Sequence, residues 1–210
     1  KLAFASLTIG SASAAILLTH RDISRTGNRL LGGAWLANTQ QSHLCRSARD
    51  ETVADNDEAE AGLLMWTDSE TLMQEGIATA VKAFAAFREE LGWRPDSIDK
   101  TFCHQVGRFH QKLLFESLQL DPAADFSTLS WLGNTGSVAL PTTAAIGIEQ
   151  GHLKRGDNTA LLGIGSGINV VMLGVQWQRS PLEADVNGTH IRAVDRRRTH
   201  DSRLATAGES

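Results

Sequence analysis

Apolar residues recur at helical spacing in three stretches of this chain, and the longest stretch begins near residue 67. Thr67 and Glu70 have the spacing of a capping box, in which each side chain hydrogen-bonds to the backbone amide of the other residue. Gly92, followed by Pro95, is typical of a helix end. We therefore predict a long helix with one buried face. That face consists of Leu72, Met73, Ile77, Ala80, Val81, Phe84 and Leu91.

Strands and two further helices are predicted downstream. A second helix ends before Asp121 and Pro122, and a third covers residues 137–150. Alternation of strand and helix, closed by a hairpin, predicts an α/β fold with a mostly parallel sheet, helices on its faces and an antiparallel last strand. The predicted strands are residues 98–103, 126–131, 159–162 and 169–175. The predicted buried face of the second helix is Val106, Phe109, Leu113, Leu114 and Leu118.

The two ends of the chain differ from this central pattern. We predict that residues 2–9 and 13–18 form a hairpin that completes an earlier sheet. A further strand is predicted at residues 29–37, and a long polar connection at residues 40–61. After Trp177 the apolar periodicity is lost, which predicts a disordered tail. The predicted organisation is a terminal hairpin at 1–22, a folded domain at 29–177 and a disordered tail at 178–210.

Charge and composition narrow the range of partners. The chain has 20 Lys and Arg residues against 24 Asp and Glu residues, a net charge of -4, so no basic field favours nucleic acid. Every apolar stretch is far shorter than the roughly 20 residues that span a bilayer. Cys45 and Cys103 have no metal-ligand spacing and are too few for a disulfide framework. We therefore expect a cytoplasmic protein that does not bind nucleic acid or cross a membrane.

Three features that could take part in a reaction each follow a predicted strand. They are His104, Asn134, and the glycine-rich turn that contains Gly165 and Ser166. The carboxyl ends of parallel strands share one edge, where open α/β sheets bind ligands. A histidine with a carboxamide beside it can stabilise the charge that develops when a thioester becomes an enolate, and glycine lets backbone amides approach closely. These residues together predict a site for carbon–carbon bond formation.

Each of these residues also has a purely structural interpretation. His104 alone fits a structural or solvated histidine, Asn134 fits a cap of the next helix, and the glycine cluster fits a tight hairpin turn. His110 is predicted to lie on the helix surface. Cys45 and Cys103 are predicted to be packing residues, because the side chain of Cys103 alternates away from that of His104.

Several motifs, in the same order, resemble signatures of β-ketoacyl-acyl-carrier-protein synthase III and its relatives. The stretch that begins with Lys154 and ends at Trp177 resembles the last hairpin of that family, and the resemblance covers residues 1–177. The His and Asn motifs of the family are matched by Cys103-His104-Gln105 and by Gly133-Asn134-Thr135-Gly136-Ser137. Gly136-Ser137 and the sequence of residues 163–169 are more similar to the enzymes of bacterial olefin biosynthesis, which condense two long-chain acyl-CoA molecules head to head.

The resemblance implies a thiolase-like fold of two similar halves, each with a five-stranded sheet covered by helices. This chain would be the C-terminal half plus the last hairpin of the N-terminal half. His104 and Asn134 would position the second acyl thioester, and the turn at Gly165 and Ser166 would help to hold the carbonyl of an acylated cysteine. Ser166 replaces a family glycine, so only its backbone amide carries over. The family's nucleophilic cysteine lies in the half that this chain lacks.

The implied function is acyl transfer by Claisen condensation of two long-chain acyl-CoA molecules. One alternative is a decarboxylating synthase III that uses malonyl-acyl-carrier protein, and another is a non-catalytic thiolase-fold binding module. The implied partners are acyl-CoA or acyl-carrier protein and, in the whole enzyme, a second copy of the chain; no cofactor is implied. Because covalent catalysis needs the absent cysteine, we expect the isolated chain to be inactive, and its uncovered sheet to make it poorly soluble.

Overall fold

Six strands and four α-helices make up the structure, a computed structural model that describes residues 8–47 and 65–180. No helix among these residues is long and apolar enough to cross a membrane. The strands are β1 Arg29–Ala37, β2 Cys45–Ser47, β3 Met65–Thr67, β4 Lys100–Cys103, β5 Asn158–Gly165 and β6 Asn169–Gln176. The helices are α1 Ser69–Leu91, α2 Arg108–Leu118, α3 Leu129–Leu132 and α4 Ala139–Glu149, with 3₁₀ turns at Thr39–Leu44, Pro95–Ser97, Pro122–Ala124 and Gly136–Val138.

The main sheet of the described residues has four strands in the order β1-β6-β5-β4. Strand β4 pairs with β5 in parallel, whereas β6 is antiparallel to both of its neighbours. Strands β1, β4 and β5 therefore run in one direction and β6 in the other. The predicted α/β class and the antiparallel last strand are confirmed. The expected fifth strand is reduced to a single bridge between Thr101 and Asp125 at the β4 edge.

The strand predicted at residues 126–131 is wrong, because local hydrogen bonds favour a helical turn there. The Ser127 hydroxyl accepts a hydrogen bond from the Leu129 amide at 3.3 Å. The Thr128 carbonyl accepts hydrogen bonds from Trp131 and Leu132 at 3.1 and 2.8 Å. A serine side chain that binds a nearby backbone amide competes with extended structure, and the result here is helix α3.

The hairpin predicted at the start of the chain is wrong in its second strand. Residues 13–18 adopt no regular structure, and Ile16, Leu17 and Leu18 are exposed, since they have no strand partner among the described residues. Ile9 instead makes an isolated bridge with Asn134. Most of the first predicted strand lies outside the described residues. The strand predicted at 29–37 is confirmed as β1.

Helix α1 forms where the apolar periodicity predicts it, but the first residues of the helix differ. Asp68, not Thr67, is the N-cap, and its carboxylate accepts a hydrogen bond from the Thr71 amide at 3.2 Å. Gly92 ends the helix in the left-handed conformation, with φ 62°. Val81, predicted to be buried, is 42% exposed. The rest of the predicted face packs into or against the core.

Helix α2 buries a different face from the predicted one. It begins at Arg108, so Val106 precedes it, and Phe109 is 70% exposed. The buried residues of the helix are His110, Leu114, Phe115 and Leu118. Three of these are spaced by four residues, which is the spacing of one helical face. The helix therefore directs His110 towards the core rather than to the surface.

Helix α4 packs on the sheet through a glycine. A Cβ atom placed on Gly147 would lie 2.6 Å from the Phe102 ring and 3.0 Å from the Phe126 ring. The two phenylalanine rings meet edge to face, with centroids 6.3 Å apart. Only glycine lets the helix approach β4 this closely. Elsewhere the sheet is less covered: Trp35 and Val171, which lie opposite each other on β1 and β6, are 81% and 47% exposed.

The folded part of the chain extends slightly beyond the predicted domain boundary at residue 177. The Asn28 side-chain oxygen accepts hydrogen bonds from the Gln178 and Arg179 amides at 2.7 and 3.1 Å. The Asn28 amide group in turn donates to the Arg179 carbonyl at 3.0 Å. Residues 178 and 179 are thus attached beside β1 rather than part of a tail. Residues 181–210 of the predicted tail, and most of the predicted connection at 40–61, lie outside the described residues.

Two buried helical glycines should respond in opposite ways to alanine. A Cβ atom on Gly76 of α1 would have only Ile164 near it, at 3.8 Å, so Gly76→Ala should raise the unfolding free energy by up to about 1 kcal/mol through helix propensity. Gly147→Ala must displace the Phe102 and Phe126 rings and should lower it by about 1–3 kcal/mol. Urea unfolding followed by circular dichroism measures both. Equal effects of the two variants would contradict the close packing of α4.

Candidate active site

The candidate site starts at the carboxyl ends of the two parallel strands. The backbone N–H of His104, the first residue after β4, donates to the Leu162 carbonyl of β5 at 2.9 Å. This bond continues the β4–β5 ladder by one residue. Gly165 ends β5 and Ser166 follows it. His104 and the glycine-rich turn therefore lie at the same edge of the sheet, as the sequence predicts.

His104 lies in an environment that keeps its imidazole neutral. Burial and, to a smaller extent, the neighbouring His110 lower the pKa of His104 from 6.5 to about 4. The two rings meet edge to face, with centroids 6.1 Å apart. Neither ring nitrogen of His104 has a hydrogen-bond partner among the described residues. At neutral pH the ring therefore retains one N–H donor and one free lone pair.

Asn134 follows a helical turn, not the end of a strand as predicted. It follows α3 and Gly133, and its backbone carbonyl accepts a hydrogen bond from the Gly10 amide at 2.8 Å. Its side-chain oxygen accepts a hydrogen bond from the Gly136 amide at 2.9 Å. This bond orients the carboxamide, and the Nδ2 donor makes no hydrogen bond within the described part of the chain. Asn134 therefore forms a local turn of this kind instead of the predicted helix cap.

The glycine-rich turn is open on one side and held on the other. A Cβ atom placed on Gly165 would meet nothing within 4 Å. Asn38 exchanges two backbone hydrogen bonds with Ile168, at 2.8 and 3.0 Å, directly after the turn. The Asn38 side chain also donates to Glu75 and Thr79 of α1, at 3.3 and 3.4 Å. The turn is thus attached to the longest helix while Gly165 and Ser166 stay exposed.

His110 is the residue of this region that the sequence analysis placed incorrectly. It is 8% exposed, and its Nδ1 atom is buried with no hydrogen-bond partner. Burial lowers the pKa of His110 as well. The missed signal was its spacing of four residues from Leu114 and of eight from Leu118, which places all three on one face of α2.

The two cysteines have the environments of packing residues, as predicted. Both are free thiols, and Cys103 is fully buried in the core cluster. Burial, together with the nearby Asp125 carboxyl group, raises the pKa of Cys103 well above its ordinary value, so the reactive thiolate is strongly disfavoured. Cys45 accepts a hydrogen bond from the Thr67 hydroxyl at 3.7 Å. Neither cysteine lies beside His104 in a nucleophile–base arrangement.

A neutral imidazole and an open backbone turn are therefore available at one sheet edge, and the Asn134 carboxamide lies on the segment that leads into helix α4. Helix α4, which follows the Asn134 turn, contacts this edge, since Leu140 lies 3.9 Å from the Cβ position of Gly163. The described residues show no direct hydrogen bond between His104 and Asn134. They also contain no group of three or more His, Cys, Asp or Glu side chains placed to hold a metal ion. The arrangement is suited to binding a carbonyl oxygen that gains negative charge.

Comparison with known proteins supports this interpretation of the fold. A family profile, 3-oxoacyl-[acyl-carrier-protein (ACP)] synthase III C terminal, matches residues 89–177. Xanthomonas campestris OleA, solved with bound lauric acid and lauroyl-CoA, superposes with a TM-score of 0.74 at 34% identity, over 84% of this chain and 48% of that one. A synthase III from Xanthomonas oryzae superposes with a TM-score of 0.65 at 36% identity, over 75% and 43%. The chain belongs to the β-ketoacyl synthase III type of the thiolase superfamily.

Curated relatives point to one branch of this family. An acyl-CoA:acyl-CoA alkyltransferase of Shewanella oneidensis is 39% identical over 176 residues, which are 82% of this chain and 49% of that protein. Its counterpart in Xanthomonas campestris is 35% identical over 173 residues, or 82% and 47%. The predicted similarity to the olefin-biosynthesis enzymes is thereby confirmed. The chain spans about half the length of these relatives.

The lowered pKa of His104 should appear in the pH dependence of stability. Between pH 6.5 and about 4 the unfolded chain binds a proton at His104 that the folded chain does not, so acidification through this range lowers the unfolding free energy. The contribution is at most about 3 kcal/mol. His104→Gln should therefore lose less stability than the wild type when urea unfolding is compared at pH 7 and pH 4.

Two comparisons isolate this effect. Burial raises the pKa of Asp125 to about 6, which acts in the opposite direction, but that contribution is present in both proteins and cancels. His43→Gln, at an exposed histidine of the Thr39–Leu44 turn, is the matched control against which the change in His104→Gln is compared. An unchanged pH dependence in His104→Gln would show that His104 is not held neutral.

Proposed function

We propose that this chain contributes the carbonyl-binding half of an acyltransferase that forms a carbon–carbon bond by Claisen condensation of acyl thioesters. His104 and Asn134 bind the carbonyl oxygen of the second thioester and stabilise its enolate. The backbone amides at Gly165 and Ser166 stabilise the oxyanion that forms on the acylated nucleophile. The observation that carries the proposal is the neutral, unpartnered imidazole of His104 at the carboxyl edge of β4 and β5.

The proposed substrates are two long-chain acyl-CoA molecules. Similarity to two acyl-CoA:acyl-CoA alkyltransferases, and to an OleA structure that holds lauroyl-CoA, supports this choice. A decarboxylating condensation with malonyl-acyl-carrier protein is the second candidate, because the matching family profile describes synthase III and a Streptomyces coelicolor synthase III is 22% identical over 117 residues. Malonyl dependence of the product separates the two reactions.

The condensation further requires a nucleophile that neither cysteine of this chain supplies. Cys103 is buried with a raised pKa, and Cys45 lies on β2 of the separate two-stranded sheet. We therefore expect the purified 210-residue chain to release no CoA from acyl-CoA by itself. Free-thiol detection measures this release, and steady turnover by the chain alone would overturn the assignment of the nucleophile to another segment.

The proposed function is tested by supplying the other half of the fold. The chain is co-expressed with the N-terminal half of the Xanthomonas campestris acyl-CoA:acyl-CoA alkyltransferase and assayed with lauroyl-CoA, with and without malonyl thioesters. We expect β-keto product and free CoA without malonate. His104→Ala and Asn134→Ala should each lower the rate roughly 100-fold or more, which is typical of the loss of one oxyanion donor.

His43→Ala is the matched control for these substitutions, since His43 is exposed and its side chain makes a local hydrogen bond with the Gln40 carbonyl. Its rate should equal that of the unmodified pair of halves. Product formation that depends on malonate would favour the decarboxylating reaction. Wild-type rates in both His104→Ala and Asn134→Ala would overturn the proposed roles, and a stable complex with no condensation activity would favour the binding-module alternative.

A further inference from the structure

Gln105, the residue after His104, is almost fully buried and uses both ends of its carboxamide. It is 1% exposed. Its Nε2 group donates to the Thr143 hydroxyl at 2.7 Å. Its Oε1 atom accepts hydrogen bonds from the Thr128 amide at 3.1 Å, the Thr128 hydroxyl at 3.4 Å and the Ser127 hydroxyl at 3.3 Å. Thr128 and Thr143 also share a hydrogen bond of 2.7 Å.

These partners lie on the two segments that flank Asn134. Thr128 is the N-cap residue of α3, which leads through Gly133 to Asn134. Thr143 lies on α4, which follows Asn134 and the turn at Gly136–Val138. Thr128 and Thr143 are 2% and 0% exposed, so water does not replace these hydrogen bonds. One side chain thus connects the His104 loop to both ends of the segment that carries Asn134.

The chemical form of the side chain fits this connection. A carboxamide offers a donor and an acceptor at opposite ends, and here the acceptor end faces α3 while the donor end faces α4. An apolar side chain of the same size would fill the space but leave the buried Thr128 amide without a partner. An unpaired amide is costly in a buried network, so we expect the segments to shift relative to each other.

We infer that Gln105 is a positioning residue that sets the placement of the His104 loop relative to the Asn134 segment. The inference rests on the proposed function, in which these two donors bind one carbonyl oxygen. Gln105 itself touches no substrate, because its carboxamide is occupied by protein partners. Its effect passes through the backbone to His104 on one side, and through Thr128 and Thr143 to Asn134 on the other.

The test is made first on the 210-residue chain with labelled histidine and asparagine side chains. His104→Gln and Asn134→Ala assign the His104 ring and Asn134 amide resonances in NMR spectra. Gln105→Met removes every hydrogen bond of the carboxamide and keeps its volume. Thr143→Val removes the α4 partner of Gln105, together with the hydrogen bond between Thr143 and Thr128. Gln176→Met, a half-buried glutamine paired with Asn158 at the other end of the β5–β6 hairpin, is the control.

We expect Gln105→Met to shift both the His104 ring and the Asn134 amide resonances, Thr143→Val to shift the Asn134 amide, and Gln176→Met to shift neither. Should Gln105→Met fail to fold, as judged by circular dichroism, Thr143→Val tests the same connection. Resonances of His104 and Asn134 that stay at their wild-type positions in a folded Gln105→Met or Thr143→Val chain would overturn the inference. So would equal shifts in Gln176→Met.

A second measurement separates positioning from stability. In the co-expressed pair of halves, Gln105→Met should lower kcat by roughly 10- to 100-fold, with little change in the KM for lauroyl-CoA, because small misplacements of reacting groups are costly. Gln176→Met should leave both constants unchanged. If the unmodified pair of halves shows no condensation, the proposed function fails but the inference on Gln105 does not, because the NMR comparison uses the chain without its partner half.

Discussion

The parallel pairing of β4 with β5 is the constraint on which the candidate site depends. Four residue pairs hold the strands in register, and the His104 amide adds the next rung by donating to Leu162. Because parallel strands end at the same edge, this pairing brings His104 and the turn at Gly165 together, although they are far apart in the chain. Antiparallel β6 then returns from the turn and leaves it exposed at that edge.

The carboxamides of Gln105 and Asn134 differ in burial, and this difference decides how many of their hydrogen-bonding groups have protein partners. Gln105 is enclosed, so both ends of its side chain must be satisfied by protein groups, and it connects three segments. Asn134 is only half-buried, and a single local hydrogen bond to Gly136 leaves its Nδ2 donor available. His104 likewise keeps its ring nitrogens unpaired while burial holds the ring neutral. The adjacent residues His104 and Gln105 thus differ: Gln105 is satisfied by protein partners, whereas the ring nitrogens of His104 remain available.

The relationship to known proteins is consistent with this division of roles. The chain matches about half of each acyl-CoA:acyl-CoA alkyltransferase relative, and the matched region contains His104, Asn134 and the glycine-rich turn. Both of its cysteines are free, and the buried Cys103 has a raised pKa, so neither is arranged as a nucleophile beside the proposed carbonyl-binding groups. Trp35 and Val171 are exposed, which shows that no other described residue covers this part of the sheet.

The sequence by itself determined the elements whose signals are local. Apolar periodicity defined α1, and glycine flanked by apolar runs defined the β5–β6 hairpin. The strand predicted at 126–131 is wrong, because the Ser127 hydroxyl and the Thr128 carbonyl accept hydrogen bonds from nearby amides and form a helical turn. Motif resemblance selected His104 and Asn134. Spacing from Leu114 could have signalled that His110 is buried, but only the tertiary structure decided that its ring faces His104. Likewise, only the tertiary structure decided that Gln105 joins the His104 loop to the Asn134 segment, because these hydrogen bonds link residues 38 and 23 positions apart and no local pattern records which of them meet.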